Sequence, residues 1–442
     1  MTSITKKEHS AVQTVECSLL VRLFALLYKP LDKRIKLGQN KVELKIALKT
    51  ENLMKTKHRH PVPASRFLLG AAKLFYGNKY FTKRCKLTCD GALSAIKPPY
   101  IVVANHAGFA DVGGLEMLAA PDYPSFVISV TQLVQWPSLI RRMGVLPKKQ
   151  FTVDTSLVRD IKYILDKGRS VAIYPEAKLS VVGTPNIIKP SVAKLVRLLK
   201  VPLVTVRFNG TYLHKPRWAH STRFVPLHAE VRLAVTPDEV GKLSVDEIHN
   251  RIVTNLAYDD YAYQLANNIS IDVPDLCEGL EGILYKCPEC GAEYAMTAHG
   301  NKLQCGRCGA TVTQDEYGAL HGGRFDKVTD WYAWQTECVR EELTNGTYRF
   351  EDNYLCEKLV GKKYVTVGEA VLTHDETGLT ATIGETKLFY KRDSMYTLSF
   401  NNDYVFLPTA EAVYRFKRTA NLGENAKLNI AIEQQSLLDE LK

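Results

Sequence analysis

The sequence has no run of about 18 apolar residues, the length a helix needs to cross a bilayer. Its longest apolar stretch, Leu19 to Tyr28, is interrupted by Arg22 and suits a buried or interfacial helix. No secretory leader is legible: Lys6 and Lys7 follow Met1, but no small-residue cleavage site precedes the basic segment Lys29 to Lys36. A disulfide framework is also missing. Of ten cysteines, Cys287, Cys290, Cys305 and Cys308 cluster, and Cys17, Cys85, Cys89, Cys277, Cys338 and Cys356 are scattered, which reads as buried thiols. Internal repeats and low-complexity tracts are absent, excluding a solenoid. The expectation is a cytoplasmic protein, peripheral on the cytoplasmic face of a membrane.

What is present is ordinary in amount and uneven in placement. Hydrophobic residues make up 45% and charged residues 24% of 442, a globular composition long enough for two to four cores. Residues 1–200 carry 33 Lys+Arg against 13 Asp+Glu, whereas residues 201–442 carry 25 against 34. The basic half therefore suits anionic lipid headgroups, phosphorylated substrates or nucleic acid, and charge alone does not choose among them.

Residues 1–65 form a basic region ending in Pro61-Val62-Pro63, a linker signal. The spacing of Phe67, Leu68, Ala71, Leu74 and Phe75 predicts an amphipathic helix over Arg66 to Phe81, suited to a headgroup layer or to packing on the next domain. Between 95 and 235, apolar runs at Tyr100–Ala104, Ser125–Val130, Ser170–Tyr174, Pro202–Phe208 and Ala229–Val235 predict strands. Helical patterns fall at Val112–Ala119, Leu157–Lys167 and Pro190–Lys200. This alternation is that of an α/β domain, a mixed sheet flanked by helices. Beyond it, a helix is expected over Asp326–Leu343, with Trp331, Trp334 and Cys338 at helical spacing. Short strands bounded by Gly, Asn and Asp follow over Tyr348–Arg418, with a final helix at Ala426–Lys442.

The chemistry starts at Ile101-Val102-Val103-Ala104-Asn105-His106-Ala107-Gly108-Phe109-Ala110-Asp111. A buried strand delivers His106, and Asp111 follows five positions later. Five residues are about 500° of α-helix, so the two side chains meet only if a turn intervenes, for which Gly108 supplies the freedom. An imidazole held by a carboxylate is a general base for an attacking hydroxyl, typically worth about 10²- to 10⁴-fold in rate. Spacing alone is a weak signal, since His321 and Asp326 repeat it. That second pair opens a loop and is expected to cap a helix.

Residues 100–215 resemble the glycerophospholipid acyltransferase family, the lysophosphatidic acid acyltransferase group in particular. Asn105, His106 and Asp111 match its NHxxxxD motif. Gly144-Val145-Leu146-Pro147-Lys148-Lys149 lies where the second motif ends in a basic residue, Tyr174-Pro175-Glu176-Ala177-Lys178-Leu179-Ser180 resembles FPEGTRS, and Val201-Pro202-Leu203-Val204-Thr205-Val206 resembles the fourth motif, all in the family's order. The resemblance implies His106 as general base, Asp111 as its orienter, and Asn105, Lys148, Lys149, Glu176 and Lys178 at the acceptor. The implied reaction is attack by an acceptor hydroxyl on a fatty acyl thioester carried by coenzyme A or acyl carrier protein, with backbone donors stabilising the oxyanion. The implied acceptor is lysophosphatidic acid or a related glycerophospholipid. Ala177, Lys178 and Leu179 replace the usual Gly, Thr and Arg, so the bidentate guanidinium expected on the acceptor phosphate is missing, leaving lysine point charges. Ser180 has no second base paired with it in the sequence, which disfavours a serine nucleophile.

Cys287-Pro288-Glu289-Cys290 and Cys305-Gly306-Arg307-Cys308 are two knuckles whose thiolates can close a tetrahedral zinc site. Four protein ligands leave no open position, so the zinc is expected to be structural, and His299 is surplus. Zinc ribbons also touch nucleic acid, which raises a rival reading as a nucleic-acid-binding module. The positive charge lies in residues 1–200 and Glu289, Glu293 and Asp315 surround the ribbon, so no nucleic acid is expected. A second rival is an inactive acyltransferase scaffold that binds lipid or assembles partners. The expected organisation is a basic region (1–65), an acyltransferase domain (66–270), a zinc ribbon (275–325), and a helix with a β-rich domain (326–442) whose strand and helix order is similar to a PH-like barrel.

Overall fold

The computed structural model describes residues 60–72, 85–129, 143–148, 154–360, 363–409, 412–420 and 423–441. Lys149, Cys17, Leu19 to Tyr28, most of the basic region and the second half of the helix expected over Arg66 to Phe81 lie outside them.

Strand β2 (Ile101–Ala104) buries all four side chains, as a central parallel strand covered on both faces must. Ile101 and Val103 enter one apolar layer and Val102 and Ala104 the other. Around it lie β1 (Leu87–Asp90), β3 (Ser125–Ser129), β4 (Leu146–Lys148), β5 (Val171–Ile173), β6 (Leu203–Asn209) and β7 (Leu227–Val235), in the order β1-β7-β6-β2-β5-β3-β4. Strands β6, β2, β5, β3 and β4 run parallel, β7 runs antiparallel to β6, and β1 is parallel to β7. The expected mixed sheet is present: the five strands read from apolar runs begin and end within two residues of their expected bounds, and the short β1 and β4 are additions to them.

The first layer is covered by α3 (Thr155–Asp166), α4 (Ser191–Leu199) and α6 (Val245–Asn255). In α3, Leu157, Ile161, Ile164 and Leu165 form one apolar stripe, and the Asp154 carboxylate caps the helix by accepting from the Leu157 amide at 3.1 Å. Helix α2 (Ala110–Ala119) packs Leu115 and Ala119 into the opposite layer. Helices α1 (Arg66–Ala72), α5 (Thr211–His214) and α7 (Asp260–Ala266) complete the described helices of this half. Of the scattered cysteines, Cys89 lies half-buried on β1, and the buried Cys85 Sγ lies 3.5 Å from His214 Nδ1, a neighbour that sequence distance concealed.

Strands β8 (Met296–His299), β9 (Lys302–Cys305), β10 (Thr311–Gln314) and β11 (Leu320–His321) make a small antiparallel sheet that carries the cysteine cluster. His321 pairs with Asp315 at 2.8 Å rather than with Asp326, and Asp326 does not cap the next helix, α8 (Val328–Thr344), whose N-cap is Lys327. Strands β12 (Phe350–Val360), β13 (Lys363–His374), β14 (Gly378–Ile383), β15 (Thr386–Lys391), β16 (Ser399–Phe400), β17 (Tyr404–Pro408) and β18 (Val413–Arg418) form an antiparallel sheet in the order β15-β14-β13-β12-β18-β17-β16. Helix α9 (Glu424–Glu440) follows.

These parts share one interior. A single apolar cluster runs from Ala107, Val181 and Tyr212 through Leu284, Leu303 and Cys305 to Trp331, Tyr354, Phe416, Leu428 and Ile432. Trp331 is buried within it, donating its indole N–H to the Lys286 carbonyl at 2.9 Å. Helix α9 has no apolar stripe in its sequence, yet Glu424 to Ile432 are all buried, because neighbours surround its first two turns.

Candidate active site

His106 lies two residues beyond the end of β2, and Asp111 lies in the first turn of α2. Residues 107–109 turn the chain between them, so the side chains converge: His106 Nδ1 stands 3.1 Å from Asp111 Oδ2 and 3.3 Å from Oδ1. Asp111 is fully buried, and Oδ2 also accepts from the Gly108 amide at 3.1 Å. An ionised carboxylate only accepts, so Nδ1 carries the proton and Nε2 keeps its lone pair. The His106 side chain is 20% exposed, enough for a ligand to reach it. Gly108 is needed for close approach as well as for the turn: a Cβ there would lie 2.2 Å from the Thr211 carbonyl oxygen.

The segment after β5 holds His106 from three sides. The Tyr174 ring stacks on the imidazole, centroids 4.3 Å apart. Glu176 Oε1 accepts from the His106 amide at 2.9 Å, and the Ser180 amide donates to the His106 carbonyl at 2.7 Å. Glu176 Oε2 accepts from both the backbone and the side-chain amide of Asn186, each at 2.8 Å. Burial pushes the Glu176 carboxyl up, and the amide donors from Asn186 and His106 oppose the shift. Tyr174 and Asn186 escape sequence reasoning: an aromatic at the strand end looks like core, and Asn186 stands ten residues from the carboxylate it holds. Ala177 takes φ 61°, a left-handed conformation that favours glycine, at the position where it replaces the usual Gly. Ser180 Oγ is buried and occupied, donating to the Thr184 carbonyl at 2.7 Å and accepting from the Gly183 amide at 2.9 Å.

The residues expected at the acceptor divide. Asn105 is fully buried; its Nδ2 donates to the Phe208 carbonyl at 2.8 Å and its Oδ1 accepts from the Phe208 amide at 2.7 Å. It ties the end of β2 to β6, with both polar atoms of its side chain taken by the Phe208 backbone. Lys178 is likewise withdrawn, its ammonium donating to Asn429 Oδ1 and Glu433 Oε1 on α9, both at 2.6 Å. A buried ammonium requires such partners, and α9 supplies them from about 250 residues away. Lys148 ends β4 half-exposed; the parallel register sets it level with Asn105 three strands across, about 14 Å away.

Residues 76–209 match the family model for acyltransferases. This segment is an acyltransferase-family domain. Its matched span ends with β6, so it includes His106, Asp111, Glu176 and Asn186. Residues 283–314 match the family model for ribosomal protein S27a. Among solved structures, the 1-acyl-sn-glycerophosphate acyltransferase of Thermotoga maritima is similar at 17% identity and a TM-score of 0.34, covering 55% of this chain and 90% of that one. No curated protein matches the chain.

Outside the acyltransferase domain, the four cysteines come together. Cys287 and Cys308 Sγ are 3.7 Å apart, Cys290 and Cys305 Sγ 3.8 Å, and all four lie within 4.8 Å of one another. Tetrahedral thiolates at about 2.3 Å from one ion stand about 3.8 Å apart, so the donor set fits a metal. The knuckles have the same backbone pattern: the Gly291 amide donates to the Cys287 carbonyl and the Gly309 amide to the Cys305 carbonyl, each at 2.9 Å. Gly291 and Gly309 take φ 72° and 78°, turns that disfavour any residue with a Cβ. His299 points into solvent, apart from the cluster.

Proposed function

We propose that this protein transfers a fatty acyl group from an acyl thioester, carried by coenzyme A or acyl carrier protein, to a hydroxyl of lysophosphatidic acid or a related glycerophospholipid. The observation that carries the reading is the partly exposed imidazole of His106 with its Nδ1 held on the buried carboxylate of Asp111. His106 Nε2 takes the proton of the acceptor hydroxyl as its oxygen attacks the thioester carbonyl. The tetrahedral intermediate collapses, the C–S bond breaks, and the leaving thiolate takes the proton back from the imidazolium. Asp111 fixes the tautomer and stabilises the imidazolium, while Glu176, through the His106 amide, fixes the strand tip. Lys148 and Lys149 remain the basic residues for the acceptor phosphate, as point charges without the fork of an arginine.

The cysteine cluster is proposed to hold one structural zinc, with no open coordination position and no step in the reaction. The strand order from β15 to β16, closed by α9, supports a PH-like reading of the C-terminal sheet. The basic excess of residues 1–200 supports peripheral binding to the cytoplasmic face of a membrane, and no described helix is long and apolar enough to cross one. Against an inactive scaffold stands the buried carboxylate of Asp111 held on a partly exposed imidazole.

The test offers purified protein a panel of lysophospholipids and glycerol 3-phosphate with labelled acyl thioesters. His106→Ala is expected to lower kcat by about 10²- to 10⁴-fold, and Asp111→Asn to lower kcat with the fold intact. Turnover by His106→Ala comparable to the unmodified protein refutes the assignment.

A further inference from the structure

The loop that carries Glu176 is fastened to the far end of the chain. Besides Lys178 on Asn429 and Glu433, Lys189 donates to Ser436 Oγ at 2.8 Å and Glu440 Oε1 at 2.6 Å. Asn429, Glu433, Ser436 and Glu440 are spaced by four, three and four residues, so they form one face of α9. Each lysine also lies against an aromatic ring of the C-terminal sheet region, Lys178 at 5.7 Å from Phe400 and Lys189 at 5.6 Å from Tyr396.

That face of α9 is itself fixed. Glu433 Oε1 accepts from Thr397 Oγ1 at 2.7 Å, and Oε2 from Asn429 Nδ2 at 3.2 Å. The other sides of the helix are held by Arg340 on Gln434, Gln435 on the Asp375 carbonyl, Arg392 on Asp439 and Lys427 on Glu293. From the tether the contacts run inward: the Asn186 side-chain amide lies 3.5 Å from the Lys178 carbonyl and 2.8 Å from Glu176, and Glu176 holds the His106 amide.

We infer that Glu433, assisted by Asn429, is a positioning residue for the active site: it clamps Lys178, and through the loop from Glu176 to Asn186 it sets the backbone of His106. The inference rests on the acyl-transfer reading and adds that Lys178 is a tether within the protein and not a ligand of the acceptor. The Lys178 side chain is 1% exposed, so loss of Glu433 leaves a buried, uncompensated ammonium, whereas replacing both partners with apolar residues removes the conflict.

The experiment compares full-length protein with Glu433→Gln, Lys178→Met and the double variant Lys178→Met/Glu433→Met. One readout is hydrogen exchange in peptides covering residues 104–110 and 174–190, which needs no activity. The other is kcat and KM for lysophosphatidic acid with acyl coenzyme A. Glu433→Gln is expected to speed exchange in both peptides by about tenfold and lower kcat by about ten- to a hundredfold, with acceptor KM nearly unchanged. The double variant is expected to recover protection and kcat to within about threefold. Unchanged exchange in Glu433→Gln overturns the clamp, and a double variant with normal exchange but a raised acceptor KM overturns the tether, because Lys178 would then serve the phosphate. Should Glu433→Gln not fold, exchange in Lys178→Met tests the clamp in its place, and the acceptor KM of the double variant still tests the tether. If the unmodified protein transfers no acyl group, the acyl-transfer reading fails by itself, and the exchange data still decide the clamp.

Discussion

The proposed catalytic pair is legible in the sequence because its spacing is local. His106 and Asp111 are five residues apart, and one turn at Gly108 brings them together. Asn105 and Lys178 stand in equally recognisable motifs, yet their side chains are spent on Phe208 and on α9. A motif gives residue identity, and only packing tells which way a side chain faces. Glu116 carries a prediction of its own. It lies on α2 only 8% exposed, and burial pushes its carboxyl up to about 7. The folded state therefore holds a proton that the unfolded chain releases near pH 4.5, so this group's contribution is present below that pH and lost as pH rises through about 7. Glu116→Gln removes the loss. Between pH 5 and pH 8 the variant should lose about 3 kcal/mol less stability than the unmodified protein. Urea unfolding at both pH values checks this, and parallel losses would refute it.

At the scale of elements, periodicity serves well where a face is apolar and poorly where it is not. Helix α3 and strand β2 announce themselves by spacing. Helix α9 is recognisable as a helix, but its burial is invisible in the sequence, because its buried positions include the polar Glu424, Asn425, Lys427 and Asn429. The cysteine knuckles are legible down to their glycines, since a tetrahedral site dictates both. Loss of the proposed zinc is expected to reach beyond the ribbon, because Leu303 and Cys305 lie in the same apolar cluster as Leu284 and Trp331. Chelation, or Cys287→Ser, is expected to release about one zinc per chain and lower the unfolding temperature by at least about 10 °C. Calorimetry with metal analysis on one sample decides it. An unchanged transition after metal loss would make the ribbon an independent unit.

For the whole molecule, the shared interior ties the acyltransferase domain to everything that follows it. Helix α9 packs on elements of the C-terminal half, and Lys178 and Lys189 of the first half bond to it across that boundary. A chain ending at residue 422 loses Leu428, Ile430, Ala431 and Ile432 from the core and strands Lys178 without its partners. We expect it to give no soluble, cooperatively unfolding protein, as gel filtration and thermal melting will show. A soluble product melting at the full-length temperature would mean that the two halves fold separately.

The sequence by itself determined what depends on neighbours within a turn or two: five of the seven strands of the mixed sheet, the His106 and Asp111 pair, the two cysteine knuckles and the final helix, while the short strands β1 and β4 escaped it. Tertiary structure alone decided what depends on partners far along the chain. It withdrew Lys178 onto α9, spent Asn105 on β6, set Asn186 beneath Glu176 and put Tyr174 against His106. The physical reason is that a buried polar group must be paired, and neither spacing nor periodicity says which distant segment will supply its partner.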